Sequence, residues 1–126
     1  MQAFKTRVFA RWASREGLGD DVLASAVLEM ERGLIDASLG GQVVKKRVAL
    51  PGRGKRGSTR TLVAFKEGEK AIFIYGFAKN ERANVSNKEL QALKLLAKEL
   101  LNYTAPALAK ATQAGELIEI EVDDDG

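Results

Sequence analysis

The chain is predicted to fold as an α+β domain in the order β-α-α-β-β-β-α, with a mostly antiparallel sheet, helices on one face and a short C-terminal extension. Three observations predict this. Apolar residues switch from a period of two to a period near 3.6 and back along the chain. Three strand-like runs follow one another between residues 42 and 77, separated by turn signals, which favours adjacent antiparallel strands. The amphipathic stretch after Ser86 opens with the residues of a helix start.

The elements follow in order. Ala3 to Val8 alternates, with Phe4, Thr6 and Val8 on one side and Lys5 and Arg7 on the other, as in a strand with one buried face. Phe9 to Glu16 reads as a short helix closed by Gly17. Asp20 or Asp21 caps a second helix with Leu23, Val27, Met30 and Leu34 on its apolar face; Gly33 lies near its end and Gly40-Gly41 marks the exit. Gln42 to Leu50 is the first of three strands and ends at Pro51-Gly52. Thr59 to Phe65 is the second. Glu67-Gly68-Glu69 turns the chain into the third, Lys70 to Phe77, whose apolar run Ala71-Ile72-Phe73-Ile74-Tyr75 suits a central strand covered on both faces.

Ser86 and Glu89 form a capping box, and Val85 can staple onto Leu90. Leu90, Leu93, Leu96, Ala97, Leu100 and Leu101 fall on one helical stripe. Asn102 to Pro106 breaks the helix, and Ala107 to Ala114 is a weaker helical piece stopped by Gly115. Leu117 to Val122 alternates with glutamates and predicts an edge strand. Residues 1–122 read as one domain, and 123–126 as a disordered acidic tail.

Composition narrows the chemistry. The chain of 126 residues is 45% hydrophobic and 29% charged, the balance of a globular protein. It has neither cysteine nor histidine, which excludes disulfides, thiolate zinc sites and Cys-His or Ser-His-Asp nucleophilic sets. The dense carboxylates Asp123 to Asp125 lie in the tail with no scaffold to orient them, so no metal site is expected. Lys5, Arg7 and Arg11 interrupt the N-terminal stretch. It matches neither a secretory signal nor a membrane span, and a cytoplasmic protein with no cofactor is expected.

Net charge is only +3, but it is unevenly placed. Six of the 17 acids lie in residues 116–126, which leaves 11 acids against 20 bases elsewhere. Residues 42–82 alone hold eleven bases and three acids, the footprint of a polyanion partner. In the segment Leu50 to Arg60, Arg53, Lys55, Arg56 and Arg60 are interleaved with Gly52, Gly54 and Gly57. Glycine allows close backbone approach to a phosphate, and the bases neutralise it. The spacing is not that of a Walker loop, and no helix follows. Lys45 and Arg47 share one face of their strand, while Lys46 points the other way. Arg60 opens the next strand, and Lys79 and Arg82 follow the third, so these bases can converge on one surface. Tyr75 is the aromatic candidate for stacking on a base; Trp12 reads as packing.

Glu31-Arg-Gly-Leu-Ile-Asp-Ala-Ser-Leu-Gly-Gly41, Lys45-Lys-Arg-Val48, Pro51-Gly-Arg-Gly-Lys-Arg-Gly57, Gly76-Phe-Ala-Lys-Asn-Glu-Arg82 and Ser86-Asn-Lys-Glu-Leu90 resemble one branch of the RelE/HigB-like toxins. The resemblance covers Met1 to Val122 and implies a RelE-like fold in the element order above. It implies a ribosome-dependent endoribonuclease that cleaves mRNA in the decoding site. It also implies an adjacent antitoxin, often of helix-turn-helix type, through which alone the toxin would meet DNA. Carried onto this chain, it places the active surface at Lys45, Arg47 and Arg60. The better-known pattern has an arginine where this chain has Asn80 and a tyrosine where it has Ser86, and Lys79 and Arg82 are the nearest substitutes.

Attack by a ribose 2′-OH on its own phosphate needs no metal and no histidine. Lys45 is the candidate for removing the proton. Arg47 and Arg60 would hold phosphate oxygens, a contribution of ~3–4 kcal/mol per well-placed donor. Arg53, Lys55, Arg56 and Tyr75 are the candidate RNA-binding residues. Two other classes compete: a ParE-type inhibitor of DNA gyrase, which has no reason to gather Lys45, Arg47 and Arg60 on one face, and a noncatalytic RNA- or ribosome-binding module.

Overall fold

A computed structural model describes residues 1–50 and 58–123. Arg53, Lys55, Arg56 and the last three residues of the expected acidic tail lie outside the described residues. The described elements are β1 (Gln2–Thr6), α1 (Arg7–Glu16), α2 (Asp20–Glu31), β2 (Ala37–Ser38), β3 (Val43–Ala49), β4 (Ser58–Lys66), β5 (Lys70–Ala78), α3 (Asn87–Leu101), α4 (Ala105–Gln113) and β6 (Leu117–Ile120). The strands form one six-stranded sheet in the order β2-β3-β4-β5-β1-β6. Only β1 and β5 pair in parallel; the other pairings are antiparallel.

The α+β class and the predicted order hold, but the helices do not share one face. On one side Phe9, Ala13, Leu23, Val27 and Met30 of α1 and α2 pack on Val44, Val48, Val63 and Phe73. On the other, Ala97, Leu100, Leu101, Leu108 and Ala111 of α3 and α4 pack on Val43, Leu62, Ala64, Ile72 and Ile74. The cause lies in the central strands. Leu62, Val63 and Ala64 of β4 and Ala71 to Ile74 of β5 are all buried, so both faces of the sheet must be covered.

Two local expectations also change. The alternation from Ala3 to Val8 predicted a strand through Val8, but β1 stops at Thr6. The Thr6 hydroxyl accepts the Phe9 amide at 3.1 Å and caps α1, which leaves Val8 68% exposed on the first helical turn. The periodicity puts Leu34 on the apolar face of the second helix. Instead α2 ends at Glu31, Gly33 follows with positive φ, and Leu34 is exposed; the chain has turned toward the short edge strand β2. The capping box at Ser86 and Glu89 is present, and β6 lies at the sheet edge beside β1. The Arg7 guanidinium donates to the Gly115 and Ala114 carbonyls, both at 3.0 Å, and so ties the start of α1 to the end of α4.

β5 carries an irregularity that matters for function. Leu62 pairs with Tyr75 and Val63 with Phe73, so Ile74 is the extra residue of a bulge. Ile74 and Tyr75 consequently both face the α3 side. Beyond the bulge the alternation is reversed: Gly76 takes the α1 side and Phe77 joins Tyr75. Trp12 of α1 lies on Gly76, where a Cβ would overlap the indole. Gly76→Ala is therefore expected to destabilise by about 1–3 kcal/mol, the usual range for overpacking. Trp12→Leu in the same chain should restore most of that loss in urea melts. Equal cost with and without Trp12 would show that the contact does not set the requirement for glycine.

Candidate nucleic-acid interface

The register places the candidate residues as a grid. Lys45 of β3 lies opposite Leu62 of β4, which lies opposite Tyr75 of β5. One step along the strands, Arg47 lies opposite Arg60, which lies opposite Phe77. Val43 and Leu62 belong to the α3 side of the core, so by alternation Lys45, Arg47 and Arg60 face that side too, beyond the residues that α3 covers. Tyr75 and Phe77 reach the same face because of the bulge. Their ring centroids are 6.2 Å apart with planes at 44°.

Two arginines directly opposite on neighbouring strands repel, so the pairing is held by other groups. Thr59 and Thr61 flank Arg60 and are fully buried on the other face. Their hydroxyls donate to the Val48 carbonyl at 2.9 Å and the Lys46 carbonyl at 2.8 Å, pinning β4 to β3 on both sides of the arginine pair. The Asp36 carboxylate accepts the Arg47 amide, and the Asp36 amide donates to the Lys45 carbonyl at 2.9 Å. Arg60 Nη1 donates to the Ser58 hydroxyl at 2.9 Å. Lys46 has the opposite role to its neighbours. It is buried, with Nζ 2.7 Å from Glu29 and 2.9 Å from the Leu34 carbonyl, and it anchors α2 to β3.

Among the described residues, Lys45, Arg47, Arg60 and Lys79 form no ion pair. Arg47 and Lys79 are exposed; Lys45 and Arg60 are half-buried. Arg82 differs. It lies in the turn after β5, and its guanidinium grips both oxygens of Glu89 and donates to the Tyr75 hydroxyl at 3.1 Å. Of the five candidate catalytic cations, it alone has its charge matched by an acid among the described residues. Sequence reasoning did not single out Glu89 beyond its capping role, nor the two threonines. Thr59 and Thr61 bracket Arg60 at a spacing of two, a signal readable in the sequence.

Beside Tyr75 a pocket of about 470 Å³ opens between α3 and the ends of β1 and β6, lined mainly by Val8, Ile74, Tyr75, Leu93, Leu96 and Leu100. No helix among the described residues is long and apolar enough to cross a membrane.

Residues 1–120 match the family described as the RelE toxin of the RelE/RelB toxin-antitoxin system. The chain belongs to the RelE toxin family. A comparison with curated proteins returns no match. The match takes in every described strand and helix, including the three strands that carry Lys45, Arg47, Arg60, Tyr75 and Phe77. As a RelE toxin the protein is one half of a toxin-antitoxin system, and an antitoxin is its partner.

Proposed function

We propose that this RelE toxin is a ribosome-dependent mRNA endoribonuclease and that the face bearing Lys45, Arg47 and Arg60 is where the message is cut. The observation that carries the reading is the Arg47–Arg60 pair, two guanidiniums at directly opposed positions with no acid partner among the described residues. A sheet that sets like charges opposite each other loses stability unless an anion bridges them, and a phosphate fits two forked donors. Half-buried Tyr75 at the next strand supplies a ring face for a base, with buried Phe77 packed behind it. Lys79 adds positive charge beyond this face, and Arg53, Lys55 and Arg56, outside the described residues, are the further cations proposed to contact RNA.

In the proposed reaction the Lys45 amine, in its uncharged form, takes the 2′-proton as the ribose 2′-oxygen attacks the adjacent phosphorus; the bond to the 5′-oxygen breaks, a 2′,3′-cyclic phosphate is left, and the departing 5′-oxygen takes a proton from water. Arg47 and Arg60 stabilise the charge that builds on the non-bridging oxygens. The ribosome holds the message in line for attack. The antitoxin, of helix-turn-helix type in this reading, carries the complex to DNA and keeps the ribosome off this face. The cations that have no acid partner among the described residues suit an acidic segment of the antitoxin, and the neighbouring apolar pocket suits its aliphatic side chains.

The test is cleavage of a translated message in a reconstituted system, mapped by primer extension, against the same message without ribosomes. Cuts that appear only with ribosomes are expected. Stalled translation with intact message would instead support a noncatalytic ribosome-binding module. RNA or ribosome binding should also weaken steeply with salt, with a log–log slope of about −0.7 for each phosphate contacted on a single strand. A flat response would argue against a phosphate-reading face.

A further inference from the structure

Glu89, the third residue of α3, has two tasks at once. It completes the capping box: its Oε1 accepts the Ser86 amide at 2.8 Å while the Ser86 hydroxyl accepts the Glu89 amide at 3.1 Å. The same carboxylate takes the Arg82 fork through both oxygens. Arg82 in turn donates through Nη1 to the Tyr75 hydroxyl at 3.1 Å and through Nε to the Asn84 carbonyl at 3.0 Å, and its guanidinium carbon lies 5.9 Å from the Phe77 ring centroid. One carboxylate thus joins the start of a helix to both aromatic rings of the sheet face.

Capping alone does not need this arrangement, because glutamine completes the same box. An acid beside an anion-binding face also opposes RNA binding, and it cancels the charge of an arginine that would otherwise attract phosphate. What the pairing supplies is orientation. A bidentate fork fixes the guanidinium plane, which a single contact does not. We propose that Glu89 is a positioning residue that holds Arg82 so that the Tyr75 ring, gripped at its hydroxyl and backed by the buried Phe77, is fixed as a platform for a nucleobase. The proposal rests on the nuclease reading above. The Arg82 hydrogen bonds and, after them, the Ser86 amide draw the Glu89 carboxyl down to about 2, so the latch stays closed throughout the physiological range.

The decisive variant is Glu89→Gln, which keeps a capping-box acceptor and removes the ion pair. Steady-state cleavage on programmed ribosomes is measured together with the ring signals of Tyr75 by NMR, assigned through Tyr75→Phe. The expected result is a kcat lower by about 10- to 100-fold, as for a reactant misplaced by about an ångström. KM should be unchanged or lower, since Arg82 is freed as an extra cation, and the Tyr75 ring signals should shift or broaden. Arg82→Lys should reproduce this, and the double variant should be no worse than either single one. A role in helix stability alone predicts a lower melting temperature with kcat and the Tyr75 signals retained. That outcome, or a raised kcat, would overturn the proposal. Should the wild-type toxin cut no message at all, the nuclease reading falls on its own, and the Tyr75 signals still decide whether Glu89 orients the ring.

Discussion

Arg60→Ala is expected to lower cleavage of translated mRNA by about 10²–10³-fold, the loss typical of one donor aimed at developing negative charge. The chain should stay folded. Arg60 is half-buried on β4, opposite Arg47, and its own hydrogen bond is to the neighbouring Ser58 hydroxyl. Its removal relieves a repulsion rather than breaking a pair. The Thr59 and Thr61 hydroxyls still tie β4 to the Val48 and Lys46 carbonyls. Thermal unfolding should therefore move by no more than the equivalent of about 0.5 kcal/mol, as for ordinary surface substitutions. Arg60→Lys keeps the charge but not the fork and should fall between the two. Expressed without antitoxin, the Ala variant should permit growth at a level of protein at which the wild type arrests it. A variant that cleaves at the wild-type rate would remove Arg60 from the active face, and with it the central pair on which the reading rests.

The same β3–β4 pair shows what kind of information the sequence carried. Period-two alternation was enough to put Lys45 and Arg47 on one face and to turn Lys46 away, and the pairing of the buried Lys46 with exposed Glu29 of α2 agrees. The α3 start was legible because a capping box is local: Ser86 and Glu89 are three residues apart and answer each other. The failures were non-local. No alternation in Gln2–Thr6 reveals that β1 enters the sheet between β5 and β6, parallel to one and antiparallel to the other. The unbroken apolar run through Ala71 to Ile74 does say that both faces of β5 are covered, which conflicts with helices on one side alone. The bulge at Ile74 had no signal of its own. Strict alternation would put Tyr75 with Ala71 and Phe73 on the α1 side, away from the cations. Tyr75 meets Arg82 and the basic face only because the strand gains a residue there.

The largest loss of stability is expected at that α1 side, from Phe73→Ala. Phe73 is fully buried at the middle of β5. Its ring lies 5.2 Å from Phe9, and Phe9 lies 5.4 Å from Trp12, which covers Gly76. These three rings pack α1 onto the strand two residues before Tyr75. Truncating the strand end of a packed aromatic run removes its transfer free energy and leaves a cavity beneath α1, a cost of about 3–5 kcal/mol. A domain of this length has a total stability of roughly 6–15 kcal/mol, so the variant should remain folded at low temperature but melt about 10–20 °C earlier. Leu95→Ala, at a side chain 72% exposed on α3, should move the midpoint by less than about 0.5 kcal/mol and serves as the control. Urea melts measure both. The slope should be unchanged, since the fold is the same and only its margin has shrunk. Cleavage by the folded fraction of Phe73→Ala should fall less than in Arg60→Ala, because the cations on β3 and β4 are untouched. If instead the Phe73 variant melted within about 1 kcal/mol of the wild type, the packing of α1 on β5 would be wrong. The placement of the bulge, and of Tyr75 beyond it, would lose its support from that face.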